Sequence, residues 1–193
     1  MIFELLHAPF PEGYGEALLP LEQCKAHLRV MDDDEDALIE ALRDAALEMV
    51  ERFCSQRLGP VDGLEWRSDS FPPSASTPII LGMWPVRAIT EVTWINRAGE
   101  LIHGDLVDFR LIRQGDVAPA IGKRWPSGIG GEVVVRFSAG YGVGAAPLSL
   151  LAAARLMLGH LWSHRDAVVD SGAMGEVPFG VRQLCAAFRR ILL

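Results

Sequence analysis

The sequence predicts an α+β protein in which about four helices flank an antiparallel, β-rich middle. Three apolar blocks of different period, in a fixed order, support this prediction. In residues 32–54, apolar side chains recur every three to four positions behind an acidic run, which indicates an amphipathic helix. Residues 79–137 contain short runs rich in β-branched residues, which are typical of strands. A second helical block follows Pro147.

The N-terminal third contains the signals for two helices. Pro20 suits the first position of a short helix over residues 20–29, because its missing N–H would be unpaired there anyway. The acidic run at 32–36 favours the start of a longer helix, where carboxylates accept hydrogen bonds from free N–H groups. The Gly-Pro pair at 59–60 is expected to end that helix. Its apolar face is predicted to consist of Leu38, Leu42, Ala45 or Ala46, Met49 and Phe53.

The middle of the chain predicts antiparallel strands, because the connections between its apolar runs are short. Residues 60–78 are rich in Pro, Gly and Ser and predict a loop. Residues 123–126 are expected on a sheet edge, since Pro126 cannot donate to a strand ladder. Glycines between 128 and 131 predict a turn before the last strand. The strands themselves are predicted at residues 79–81, 86–94, 101–102, 107–112 and 132–137.

The C-terminal block predicts two further helices. Leucine and alanine dominate residues 148–161, which indicates a helix that is buried on more than one face. A loop is expected over residues 166–177, and Pro178 begins the last helix. We predict one domain over residues 1–193, divided into an extended arm (1–17), a helical part (18–59), a β-rich part (60–141) and a second helical part (147–193).

The composition of the chain limits the classes of function that it can have. The 193 residues are 50% hydrophobic and carry a formal net charge of −7, which argues against general nucleic-acid binding by the whole surface. Cys24, Cys54 and Cys185 form no C-x-x-C pair, so buried, reduced thiols are expected. Residues 1–60 carry a net charge of −8 and residues 151–193 one of +2. Such opposed ends suit head-to-tail contact between identical subunits, although a solvated acidic face explains them equally well.

The start of the chain is not expected to be a signal peptide. Residues 1–6 lack the basic region of a signal peptide, and no stretch is long and apolar enough to span a bilayer. We therefore expect synthesis and assembly in a cytoplasm. The last three residues are Ile-Leu-Leu, and an exposed apolar end of this kind suggests a partner.

Two patterns could indicate a metal site. The acidic run lacks the D-x-D-x-D-G spacing of a calcium loop. His160 and His164 share a helix face, and Asp166 or Asp170 could add a ligand. Leu161, however, occupies the position of the general-base Glu in H-E-x-x-H. We predict no metal site and no catalytic residue, and a small metal-dependent enzyme remains the alternative.

A third pattern, G-x-G-x-x-A at residues 140–145, resembles a dinucleotide-binding fingerprint. Pro147 delays the following helix, so a pyrophosphate would not meet its N–H groups. The remaining chain also offers no parallel strand to complete a βαβ unit. The pattern therefore predicts a glycine-rich turn between strand and helix, and no cofactor is expected.

Five short motifs follow one another along the chain: Leu19-Pro20-Leu21, Trp84-Pro85-Val86, the strand end at 137–142, Pro147 with its helix, and residues 177–182 leading to Phe188-Arg189-Arg190. In this order they resemble the head–tail connector (adaptor) proteins of tailed bacteriophages and of phage-like gene transfer agents, and the likeness covers nearly the whole chain. The family's compact four-helix core would then carry the β-rich part as an insertion between the second and third main helices.

The resemblance implies a ring of identical subunits, expected to be a dodecamer, that joins the portal of a DNA-filled head to the tail. DNA would pass through a channel without sequence-specific binding, and no reaction or cofactor is implied. The implied partners are further copies of the chain, the portal protein, and a tail-side connector or tail terminator protein. The implied location is the head–tail junction of a virion or phage-like particle, with assembly in the bacterial cytoplasm.

The resemblance also implies interaction sites. The C-terminal segment of such proteins tends to dock on the portal, which here assigns docking to Arg182, Phe188, Arg189, Arg190, Ile191, Leu192 and Leu193. The acidic half could line the channel or contact a basic face of the neighbouring subunit. For that subunit contact we predict Asp32, Asp33, Asp34, Glu35 and Asp36. A monomeric binding module remains a further alternative to the ring.

Overall fold

The computed structural model describes residues 3–6, 9–113, 115–164 and 178–189. The predicted loop at 166–177 therefore lies outside the described residues. The described part contains both helices and antiparallel sheets, which confirms the α+β class. Its helices are α1 (Tyr14–Leu18), α2 (Leu21–Leu28), α3 (Asp36–Cys54), α4 (Leu148–Ser163) and α5 (Phe179–Cys185). Its strands are β1 (Phe3–Leu6), β2 (Val61–Ser68), β3 (Ile79–Ile80), β4 (Val86–Asn96), β5 (Leu101–His103), β6 (Phe109–Ile112), β7 (Asp116–Pro119) and β8 (Ile129–Ala139).

The chain divides into two compact units. Residues 1–10 and 60–140 form one unit, here called the sheet unit, which contains all the described strands. Residues 11–59 and 141–193 form the other, here called the helical unit, which contains all the described α-helices. None of these helices combines the length and the hydropathy that a bilayer-spanning segment requires.

The sheet unit is built around β8. Five strands pair in the order β1-β2-β8-β4-β5 and three in the order β3-β7-β6, with every pairing antiparallel as predicted. Val133, Val135 and Phe137 alternate along β8 and are fully buried, because successive side chains of a strand point to opposite faces. Leu64 and Trp66 of β2 are also fully buried. These residues make the core of the larger sheet.

Three predictions for this unit were wrong. Residues 61–68 form β2 rather than a loop, with Leu64, Trp66 and Ser68 buried and charged residues between them. Gly130 and Gly131 lie inside β8 rather than in a turn, whereas Gly128, with a φ of 78°, precedes the strand. An added Cβ at Gly130 would lie 2.5 Å from the Asn96 carbonyl oxygen, so the close approach of β4 requires glycine there.

The predicted edge strand around Trp125 is an irregular segment instead. The Trp125 ring stacks on Phe71 at 5.3 Å between centroids. Its indole Nε1 donates to the carbonyl oxygens of Ser74 and Thr77, each at 3.1 Å. Aromatic packing and these two hydrogen bonds hold the segment without a strand ladder.

In the helical unit, α4 packs against α3 and α5. The buried side of α3 includes Ile39, Ala46 and Val50. The predicted apolar face was wrong, because Leu38 and Met49 are 39% and 37% exposed. The helix has two apolar stripes, and the charged residues Arg43 and Glu51 interrupt the buried one.

The ends of α3 also differ from prediction. No side chain caps its N-terminus. Instead, Lys25 Nζ lies 2.5 Å from Asp33 Oδ1 and 2.7 Å from Asp36 Oδ1, so the acidic run is fixed by a cation from α2. The helix ends at Cys54, where Ser55 adopts a left-handed conformation with φ of 55°, rather than at Gly59.

A buried polar network follows the end of α3. Glu51 accepts hydrogen bonds from the Tyr14 hydroxyl, from the Leu58 backbone N–H at 2.7 Å and from Arg57 Nη1 at 2.8 Å. Burial raises the pKa of the Glu51 carboxyl, and these three donors offset part of the rise. The Tyr14 hydroxyl accepts from the Gly59 N–H at 2.7 Å. Tyr14 begins α1, so the predicted extended arm contains a helix and, at residues 3–6, a strand.

We predict that Glu51→Ala lowers the free energy of unfolding of the helical unit by about 3–5 kcal/mol, because it leaves the buried Arg57 guanidinium without its carboxylate. Urea denaturation followed by circular dichroism measures the change. Glu48→Ala is the matched control on the same helix, since Glu48 pairs with Arg52 at the surface and should cost less than about 1 kcal/mol. Equal losses for the two variants would contradict the prediction.

A second prediction concerns pH. The hydrogen bond from Lys25 lowers the pKa of Asp33 below its ordinary value of 3.8, so this pairing stabilises the fold above that pH and is lost as the pH falls through the lowered pKa. Wild type should therefore exceed Lys25→Met in free energy of unfolding at neutral pH, and the gap should narrow below pH 3.8. Denaturation across an acid pH series tests this, with Arg52→Met as control. A gap that does not depend on pH would refute it.

Candidate interaction surfaces

A basic cleft lies where α3 and α5 end. It has a volume of about 410 Å³ and is lined by Phe53, Arg182, Ala186 and Arg189. The Arg189 guanidinium carbon lies 4.9 Å from the centroid of the Phe53 ring, a cation–π distance. The cleft thus combines an aromatic wall with two arginines, which suits a partner segment that carries a carboxylate beside an apolar side chain.

Local sequence explains how α5 presents these arginines. Pro178 precedes the first residue of the helix, where a missing N–H costs nothing. Val181 and Cys185 lie one turn apart and are fully buried, which leaves Arg182 exposed. The Cys54 thiol donates a hydrogen bond to the Cys185 sulfur, which raises the pKa of Cys54 and lowers that of Cys185, so the last residues of α5 and α3 are adjacent.

A second contact fixes the chain after α5. The Gln56 side-chain Nε2 donates to the Phe188 carbonyl oxygen at 2.7 Å. Of the seven residues predicted to dock on the portal, the structure brings Arg182, Phe188 and Arg189 together at this end of the helical unit. The other four, Arg190, Ile191, Leu192 and Leu193, lie outside the described residues.

The acidic run, predicted to contact a neighbouring subunit, is partly engaged within the chain. Lys25 binds Asp33 and Asp36, whereas Asp32 and Asp34 are exposed. The subunit contact therefore remains a prediction for the run as a whole.

Charge is strongly asymmetric within the helical unit. Residues 32–54 contain nine Asp or Glu and two Arg, a net charge of −7. The described residues 147–164 and 178–189 contain three Arg and no Asp or Glu. The N-terminal segment of the unit is therefore acidic and its described C-terminal segments are basic. The prediction from the sequence had concerned the longer segments 1–60 and 151–193.

The histidine pair gives no metal centre in the described part of the chain. The ring centroids of His160 and His164 are 4.4 Å apart, and His164 Nδ1 lies 2.8 Å from the His160 carbonyl oxygen. Residues 3–6, 9–113, 115–164 and 178–189 contain no group of three or more His, Cys, Asp or Glu that could hold a metal. Asp166 and Asp170, the ligands considered from the sequence, lie outside these ranges.

The helical unit also exposes an apolar surface that was not predicted from the sequence. Leu148, Leu156 and Phe179 are 82%, 45% and 76% exposed, although α4 had been predicted to be buried on more than one face. The sequence did contain a signal for exposed apolar residues on α4. A helix this rich in apolar residues, in a small unit, has more of them than one contact face can bury. Periodicity alone does not say which of these residues stays exposed.

Comparison with known proteins agrees with the resemblance seen in the sequence. Residues 19–80 match the model of a family described as "Phage gp6-like head-tail connector protein". A comparison with curated proteins finds no match.

Solved structures share the fold over the whole chain. One chain of a structure described as "Virion of native gene transfer agent (GTA) particle" has a TM-score of 0.72 at 24% identity, with 100% of this chain and 97% of that chain covered. A chain of "Neck of empty GTA particle computed with C6 symmetry" has a TM-score of 0.72 at 23% identity, with the same coverage. For "Neck of native GTA particle computed with C12 symmetry" the TM-score is 0.70 at 23% identity, again over 100% and 97%. Residues 19–80 therefore carry the sequence pattern of the gp6-like head–tail connector family, and the whole chain has a fold found in gene transfer agent particles.

Proposed function

We propose that this chain is a structural head–tail connector, which joins the portal of a phage-like particle to its tail and catalyses no reaction. The observation that carries the proposal is the coincidence of two likenesses. Residues 19–80 match a connector family, and the complete chain shares the fold of proteins from gene transfer agent necks. The particle's head–tail junction is the corresponding location.

The working form would be a ring, with twelve copies as the expected number. The neck structures that share the fold were computed with C6 and with C12 symmetry, and both are compatible with twelve subunits. A ring of identical chains needs two different contact surfaces on each copy, because only head-to-tail contacts close into a cycle. The opposed charges of residues 32–54 and of α4 with α5 supply two such surfaces.

We further infer that the helical unit corresponds to a four-helix connector core. In this interpretation α2, α3, α4 and α5 form the core, and residues 60–140 of the sheet unit are an insertion between α3 and α4. The matched residues 19–80 include α2 and α3, which supports this assignment. The two units would then act together as one connector domain over residues 1–193.

We propose that the basic cleft binds the portal together with the C-terminal segment that follows it. Arg182 and Arg189 attract a carboxylate, and Phe53 offers an aromatic surface beside them. Phe188 is held by Gln56, and the apolar residues 191–193 follow in the sequence. The partner is expected to be a portal segment in which acidic and apolar side chains alternate, together with a tail-side connector or tail terminator protein on the other face of the ring.

The acidic surface suits passage of DNA. Tight binding to the phosphate backbone requires Lys and Arg, which release condensed counterions. A channel wall with the charge of residues 32–54 would instead leave DNA free to slide. We propose that residues of the acidic run serve the wall or the contact with the neighbouring subunit.

The test is to delete the gene in a strain that produces the particles and to image the particles by electron microscopy. We expect DNA-filled heads without tails, restored to tailed particles by the wild-type gene. Tailed particles from the deletion strain would refute the connector function. Stoichiometric zinc in the purified protein would instead favour the enzyme alternative.

For the docking segment, we predict that the double variant Arg182→Glu/Arg189→Glu, and separately removal of residues 190–193, gives filled heads without tails in the same assay. The physical reason is loss of the cations, or of the apolar end, that would engage the portal. Arg87→Glu in the sheet unit is the control, since Arg87 is also exposed. Normal tail attachment by both docking variants would reject this role for the C-terminal segment.

A further inference from the structure

We infer that two apolar stripes of the helical unit form the ring contact, with the α3 stripe of one copy packed against the α4–α5 stripe of the next. The α3 stripe consists of Leu38, Leu42, Ala45 and Met49. The α4–α5 stripe consists of Leu148, Ala152, Leu156 and Phe179. The inference rests on the proposed ring function and names the surfaces that would close the ring.

The α3 stripe is a helix face that the described residues leave partly exposed. Its members recur every three to four residues, so they share one face of the helix. Leu38 is 39% exposed and Met49 is 37% exposed, while Leu42 and Ala45 are half-buried. Ala37 and Ala41 beside them are small and exposed. A neighbouring helix can approach closely over such small side chains.

The α4–α5 stripe is more exposed. Leu148 is 82%, Leu156 45% and Phe179 76% exposed, and Ala152 lies between the two leucines on the same helix face. A Cβ added at Gly180 would lie 3.4 Å from Leu156 Cδ1. The start of α5 therefore lies against this face of α4, and Phe179 extends the stripe from one helix to the next. Contiguous exposed apolar side chains of this size are characteristic of interaction sites.

The charges around the stripes favour contact between an α3 stripe and an α4–α5 stripe. Exposed Glu40 and Glu48 lie on the helix that carries the α3 stripe, within a segment of net charge −7. Apart from the two arginines of the basic cleft, the described parts of the α4 and α5 region contain Arg155 and no acidic residue. Contact between two α3 stripes, or between two α4–α5 stripes, would bring charges of the same sign together. Contact between an α3 stripe and an α4–α5 stripe brings charges of opposite sign together. The favoured contact is therefore head-to-tail, between different faces of two copies.

A head-to-tail contact repeated around an axis closes into a ring, whereas a self-complementary contact stops at a dimer. All eight stripe residues belong to the helical unit. The occupant of each stripe is thus a second copy of this chain. The basic cleft, which lies beyond Phe53, remains available for the portal.

The experiment complements the deletion strain with Met49→Glu or with Phe179→Glu, each of which alters one stripe at an exposed position. Each variant is expected to give filled heads without tails. Ile121→Glu is the matched control, because Ile121 is 88% exposed in the sheet unit, and it should give tailed particles. Circular dichroism of the purified variants should match wild type, which excludes misfolding as the cause.

A mixing experiment tests the pairing itself. At concentrations where wild type self-associates, each variant alone should sediment as a monomer, because every contact would include one altered stripe. An equimolar mixture should give dimers and nothing larger, since the intact α3 stripe of Phe179→Glu can bind only the intact α4–α5 stripe of Met49→Glu. Self-association of either variant at wild-type strength, or a mixture that stays monomeric, would overturn the pairing.

The two proposals can fail separately. If the deletion strain still produces tailed particles, the connector function is wrong. If the deletion removes tails but both stripe variants restore them, the connector function stands and the assigned ring contact is wrong.

Discussion

The buried contact between Glu51, Arg57 and Tyr14 organises the helical unit. It connects Glu51, in the last turn of α3, with residues 55–59 that follow the helix and with Tyr14 of α1. Gln56 in the same turn accepts a hydrogen bond from the Tyr141 hydroxyl at 2.7 Å and donates to the Phe188 carbonyl oxygen. The segments before α4 and after α5 are therefore held by one short turn. An ion pair this deeply buried does not guarantee extra stability, but breaking it leaves a buried charge without compensation. The turn therefore has one conformation in which its buried charges are paired.

That arrangement sets where the interaction surfaces lie. With the ends of α3 and α5 held together, Phe53 and the two arginines form one cleft instead of separate side chains. The same packing buries Ile39, Ala46 and Val50 of α3 and leaves the other apolar stripe of that helix at the surface. The proposed ring would require this division, because each copy must bury its own core and still expose apolar area for its neighbours.

The order of the helices and most strands could be predicted from the sequence, because proline, glycine and hydrophobic period are local signals. The errors came from signals that were present but ambiguous. In β2, alternation of Leu64, Trp66 and Ser68 with charged residues is a strand pattern, but the surrounding Pro, Gly and Ser suggested a loop. On α3, the stripe free of charge was taken as the core face. The actual core face includes Arg43 and Glu51, whose side chains have hydrogen-bond partners distant in sequence, Glu16 for Arg43 and Tyr14 for Glu51.

By itself, the sequence determined the α+β class, the antiparallel pairing, the segregation of acidic and basic residues, and the likeness to head–tail connectors. These four properties depend on local patterns and on the order of short motifs, both of which can be identified without knowing the tertiary structure. Only the tertiary structure decided which of two apolar stripes on α3 is buried, which leucines of α4 remain exposed, and that Phe53 meets Arg189. Those outcomes depend on packing between residues far apart in sequence. Helical periodicity alone does not reveal them, because it is the same for an apolar stripe that faces the core and for one that stays at the surface.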